Sequence, residues 1–147
     1  MKLYLDLCCF NRPFDDQSQL LVRLQTEAKL AVQDSVRSGD HTLIWSAILD
    51  LENANNPDSE RKTAIDEWKL LAEVDVATTV PVEDLAITLA EVGLKAMDAL
   101  HVASAIEAGA ECFLTTDKQI LRKLKSDNRI QVLDPVDFIR ETEAVDE

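Results

Sequence analysis

The chain has 147 residues, 46% of them hydrophobic, enough for one domain around a single continuous core. Its 28 acids against 15 lysines and arginines give a net charge of −13, which excludes indiscriminate nucleic-acid binding, where cations must displace phosphate counterions. Three cysteines form no disulfide framework, Asp6 and Arg12 interrupt any apolar leader, and no apolar run is long enough to cross a bilayer. A reducing, cytoplasmic setting without a membrane is therefore expected.

In chain order, residues 2–5 read as a short buried strand ending at Asp6, and Leu7 to Gln17 as a loop. A helix is expected from about Ser18 to Ser38, with Leu21, Leu24, Ala28 and Ala31 facing the core. Thr42 to Trp45 is a second strand, and Ser46 caps a helix to about Asn53. Asn55-Asn56-Pro57 breaks the chain before a helix to about Leu71 and a weaker strand over 74–78. Pro81 opens a helix with Leu85, Leu89 and Val92 on one face. A mostly apolar helix from Asp98 to Gly109 follows, then a strand over 112–115 and a helix from Lys118 to about Lys125. Residues 130–132 form a last strand before a helix begun by Pro135, and residues 141–147 read as a frayed acidic tail. Each of the three glycines falls just after a predicted helix, where a left-handed residue ends it. This alternation predicts a single α/β domain with a parallel sheet and helices on both faces.

In such a sheet, ligands bind beyond the carboxyl ends of the strands. Asp6 and Asp117 stand at or just past strand ends, Asp98 opens the helix leading to the 112–115 strand, and Glu52 lies one turn from Ile48 on its helix. Converging carboxylates repel and raise one another's pKa. A hard divalent cation removes that penalty, and an all-oxygen donor set favours Mg²⁺ or Mn²⁺. Lys118, Arg122 and Lys125 recur at helical spacing beside Asp117, and Arg12 follows Asp6, so these four are candidate phosphate contacts. His101 reads as a packed core histidine, and the cysteines as small buried hydrophobes.

At Asp6, Ser46 to Glu52, Met97 to Ala105 and Leu114-Thr115-Thr116-Asp117-Lys118, the chain resembles the PIN domain family. These are metal-dependent nucleases that include the toxin halves of toxin–antitoxin pairs. The resemblance, over residues 2 to 140, implies a three-layer α/β/α sandwich with a five-stranded parallel sheet of order 3-2-1-4-5. It implies hydrolysis of single-stranded RNA by a site holding Mg²⁺ or Mn²⁺. Asp6 and Asp98 would be direct ligands, Asp117 would hold a ligand water or second ion, Glu52 would position or deprotonate the attacking water, and Thr115 would support the site. It also implies an antitoxin partner for toxin members and a homodimer, for which Leu-rich surfaces on the early helices could serve. Cys8 stands where the family often has Asn or Ser, and Thr116 where toxin members often have Asn. The competing functions are a catalytically inactive module of the same fold acting through a protein partner and, last, a receiver-like phosphoacceptor domain.

Overall fold

The structure, a computed structural model, describes residues 1–143. Five parallel strands, β1 (Lys2–Leu5), β2 (Thr42–Ser46), β3 (Val74–Val76), β4 (Cys112–Leu114) and β5 (Gln131–Leu133), form one sheet in the order β3-β2-β1-β4-β5. The central strand is registered Leu3 to Leu43 on one side and Leu3 to Cys112 on the other. Leu3, Tyr4 and Leu5 have at most 1% of their surface exposed, as expected for a strand covered on both faces.

Among the described residues seven helices connect the strands, α1 (Leu7–Asn11), α2 (Leu20–Arg37), α3 (Ala47–Ala54), α4 (Ser59–Trp68), α5 (Val80–Glu91), α6 (Ala96–Glu107) and α7 (Lys118–Lys123), and α8 (Pro135–Glu143) follows the last strand. The helices lie on both sides of the sheet, with α2 against α8 and α5 against α6. The close α5–α6 pairing follows from sequence, because Ala99, Ala103 and Ala105 are small and fully buried on α6. Gly93 ends the turn between these helices at φ 101°, a conformation costly for any residue with a Cβ. Its carbonyl accepts from the Lys123 ammonium at 2.6 Å, which ties α7 to that turn.

Several local expectations are corrected. The stretch after Asp6 is not a loop: Leu7–Asn11 is helical and Arg12–Phe14 is a 3-10 turn, because Leu7, Cys9 and Phe10 are buried in the core. On α2, Leu21, Leu24 and Ala31 are exposed, and the core-facing stripe is Val22, Gln25, Ala28, Lys29, Val32 and Gln33. Val92 lies beyond α5 and is exposed. Residues 141–143 continue α8, where Thr142 Oγ1 donates to the Phe138 carbonyl at 2.9 Å. The remainder of the expected frayed tail, 144–147, lies outside the described residues.

Candidate active site

Asp6, Glu52, Asp98 and Asp117 line one cavity of about 270 Å³, with Leu7, Cys8 and Asn11 as the other walls. No lysine or arginine lines it. The sheet accounts for this meeting. β1 and β4 are hydrogen-bonded neighbours, so their carboxyl ends bring Asp6 and the residues after Leu114 side by side. The Asp6 amide donates to the Leu114 carbonyl at 2.9 Å, one step beyond the ladder.

Asp6 is fixed from two directions. Its Oδ1 accepts from the Leu7 amide at 2.8 Å, capping α1, and its Oδ2 accepts from the Thr115 hydroxyl at 2.8 Å. Thr115 is fully buried, and its Oγ1 also accepts from the Asp117 amide at 3.0 Å. One hydroxyl thus sets the spacing between two acids. The Cys8 thiol lies 3.5 Å from Asp6 Oδ2 and accepts from the Thr116 amide at 3.3 Å. Asp6 therefore has its strong side-chain donor in Thr115, with sulfur as a weak one.

Asp117 caps α7 through Oδ1 alone, which accepts from the Gln119 and Ile120 amides at 2.8 and 3.2 Å. Its Oδ2 makes no hydrogen bond among the described residues. Asp98 stands half-buried in the first turn of α6, where the helix dipole favours a negative charge. Burial raises the Asp98 carboxyl above its ordinary range, and the charges of Asp6 and Asp117 raise it further. Burial likewise raises Asp6, against the opposing effects of His101 and the Thr115 hydrogen bond.

Glu52 is held by residues that the sequence did not reveal. His101, fully buried one turn after Asp98, lies with Nε2 3.3 Å from Glu52 Oε1 and Nδ1 2.6 Å from the Tyr4 hydroxyl. Tyr4 Oη is also 2.6 Å from Ser46 Oγ, which accepts from the Leu49 amide at 3.1 Å. These contacts run as one chain from Ser46 through Tyr4 and His101 to Glu52, so the imidazole braces the carboxylate from within the core. His101 is buried as the sequence suggested, but its ring also braces a site acid. The signals available were its position three residues after Asp98 and the polar atom of Tyr4 in a buried strand.

One ligand atom each from Asp6, Glu52 and His101 lies within 4.8 Å of the others, and both ring nitrogens of His101 are already engaged. Asp98 and Asp117 line the same cavity outside that close group. Carboxylate oxygens suit a hard divalent cation, which would also relieve the mutual repulsion of the acids.

The candidate phosphate contacts divide. Lys118 and Arg122 are exposed on α7, which starts at Asp117. Arg12 turns away from the acids: its Nε donates to Gln25 Oε1 at 2.9 Å and its guanidinium pairs with Asp15 at 2.7 Å. Lys125 lies past the end of α7 and lines a cavity with Glu111 and Gln131, at the amino ends of β4 and β5, opposite the acids. A cavity of about 530 Å³ adjoins the acids, sharing Leu7, Asn11 and Glu52 with them and lined further by Asn55, Asn56, Pro57, Asp58 and Arg61, the last paired with Asp15 at 3.4 Å.

The PIN domain family model matches residues 16–126, a span that holds Glu52, Asp98 and Asp117 and begins after Asp6. Among solved structures, a chain of FitAB bound to a DNA fragment superposes with a TM-score of 0.59 at 20% identity, over 91% of this chain and 95% of that one. A chain of VapBC2 from Rickettsia felis bound to a promoter DNA fragment gives 0.56 at 13% identity, over 90% and 97%. DNA-bound VapBC from Salmonella typhimurium gives 0.56 at 17%, over 92% and 98%. At these identities the likeness is one of fold. A comparison with curated proteins gives no match. By the family match over most of its length, the chain belongs to the PIN domain family.

Proposed function

We propose that the protein is a metal-dependent endoribonuclease that hydrolyses phosphodiester bonds of single-stranded RNA. The observation that carries this reading is the single cavity lined by four carboxylates and no cationic side chain. In this reading Asp6, Asp98 and Asp117 hold Mg²⁺ or Mn²⁺, which would neutralise phosphate charge and acidify a bound water.

The chain's own residues do the rest. Thr115 keeps Asp6 at a fixed distance from Asp117, and the Ser46–Tyr4–His101 chain keeps one Glu52 oxygen engaged so that the other faces the cavity. Glu52 accepts the proton of the attacking water as the water oxygen bonds to phosphorus and the bond to the leaving nucleoside oxygen breaks. Lys118 and Arg122 hold the RNA backbone beside Asp117. An inactive module of this fold has no need of four acids around one space.

The likeness to chains of FitAB and VapBC, each solved as a complex bound to DNA, supports a role as the toxin of a toxin–antitoxin pair, with an antitoxin as partner. A homodimer is the further expectation, and α2 offers Leu20, Leu21 and Leu24 at its surface for it. Light scattering showing a monomer at micromolar concentration would remove the dimer. The function is tested by incubating purified protein and single-stranded RNA with Mn²⁺ or Mg²⁺. Cleavage that is lost with chelator and in Asp98→Asn supports it, and cleavage retained in both overturns it.

A further inference from the structure

A second charged site lies beside α2, with no lining residue in common with the acids. Lys29 has 3% of its surface exposed, yet its ammonium makes no hydrogen bond or ion pair among the described residues. It sits 5.5 Å from the Phe10 ring centroid and 5.4 Å from that of Trp68. Ring faces attract a cation but leave its three N–H donors without acceptors. One turn along the same face, Gln33 has 4% exposure, and its Nε2 is buried with no hydrogen-bond partner. The Gln33 amide nitrogen is therefore a buried donor without a partner, which is uncommon in folded proteins, and the Lys29 ammonium one turn away has no acceptor or ion pair within the described fold.

Both groups line a cavity of about 220 Å³. Arg37, a further turn along, stacks 4.6 Å from the Trp68 centroid at its mouth, with only the exposed Asp34 as an ionic partner, at 3.8 Å. Among the described residues no aspartate or glutamate lines the cavity, although the chain has 28 of them. The described fold supplies no anion to Lys29, so an anionic partner would come from outside it. The remaining walls include the rings of Phe10, Phe14 and Trp68, which suit a flat apolar body. A volume below the roughly 300–1,000 Å³ of drug-sized pockets limits that body to about one ring.

We propose that this cavity binds a small aromatic carboxylate, its anionic head against the Lys29 ammonium and Gln33 amide and its ring among Phe10, Phe14 and Trp68. A carboxylate matches one ammonium and one amide donor. A phosphate dianion would bring a second charge into the aromatic walls with no second buried cation to meet it.

Trp68 lines the cavity and Trp45 is fully buried in the sheet, so tryptophan fluorescence of the full chain reports occupancy. The titrants are benzoate, its neutral isostere benzamide, and inorganic phosphate, at neutral pH. Benzoate is expected to saturate and to bind at least about tenfold more tightly than benzamide. Phosphate gives no saturable change, Lys29→Met abolishes the preference for benzoate over benzamide, and Asp6→Asn leaves it intact. Equal binding of benzoate and benzamide, no saturation by benzoate, saturation by phosphate, or an unchanged preference in Lys29→Met overturns the proposal. The wild-type comparison of benzoate with benzamide decides the matter even if Lys29→Met fails to fold.

Discussion

Two places in this molecule gather charge of one sign away from bulk water, and they do so by different means. Around the acidic cavity, Asp6 and Asp117 are steadied by a hydroxyl and backbone amides, while burial and then neighbouring carboxylates raise the hold of Asp6 and Asp98 on a proton. Around Lys29, the cation meets only aromatic faces, and burial pushes its pKa down to about 8. Hydrogen-bond donors can hold carboxylates in place without neutralising them, so the acidic site keeps its geometry while it still lacks countercharge. The lysine has no such scaffold of acceptors, and its charge is a direct cost to folding. As proposed, a cation would complete the first site, and an anion the second.

The sharpest way to break the first half of this contrast is Glu52→Gln. The side chain keeps its shape and can still pair with His101, but it can no longer take a proton from water. A loss of about 10²–10⁴ in the cleavage rate is expected, with the far-ultraviolet circular dichroism unchanged. Retained activity would reassign the base.

For the second half, Lys29→Met is expected to stabilise the protein. A folded pKa of about 8 against the ordinary 10.5 corresponds to roughly 3 kcal/mol of burial cost below pH 8. The sign follows from proton counts: between about pH 8 and 10.5 the unfolded chain binds the proton and the folded chain does not, so wild-type stability gains as pH rises. Denaturant unfolding should show the advantage of Lys29→Met greatest below pH 8 and vanishing towards pH 10.5. An advantage independent of pH would mean that packing, and not charge, sets the difference.

Smaller effects separate scaffold from charge within the acidic site. Thr115→Val removes the hydroxyl shared by Asp6 and the Asp117 amide while keeping its volume, and is expected to weaken divalent-cation affinity by about 10–100-fold in calorimetry. Asp98→Asn removes one of the mutually repelling charges. The folded carboxyl is raised, so its stabilising contribution is present below the unfolded pKa and is lost as pH rises through the folded one. Without metal at neutral pH the variant should therefore be slightly more stable than wild type, by less than about 1 kcal/mol for a carboxylate this exposed. Equal stability at every pH would contradict the assigned repulsion.

Much of the scaffold was readable from residue order. Strand runs separated by capped helices gave the parallel sheet, and acids just past strand ends gave the membership of the acidic cavity, because both follow from local pattern and sheet topology. What escaped was decided by tertiary burial. The five residues of α1 are read as a loop because turn signals follow at Asn11-Arg12-Pro13, while burial of Leu7, Cys9 and Phe10 is what makes them helical. On α2, apolar spacing selects Leu21 and Leu24, yet the helix turns Gln25, Lys29 and Gln33 inward. Those polar residues recur every fourth position, a periodicity that hydrophobicity alone passes over, and it is this face that forms the second site. Tyr4 and Ser46 reach Glu52 only through His101, a connection across distant parts of the chain that no spacing reveals.

The central claim is that the four acids act together on RNA through a divalent cation. Its most direct test compares cleavage of single-stranded RNA by wild type and Asp6→Asn, each with Mn²⁺, as the metal concentration is raised. Wild type should show metal-dependent, chelator-sensitive cleavage, and the folded variant should be slower by at least about a thousandfold, equivalent to roughly 4 kcal/mol of barrier. Equal, chelator-insensitive rates from the two proteins would contradict the account.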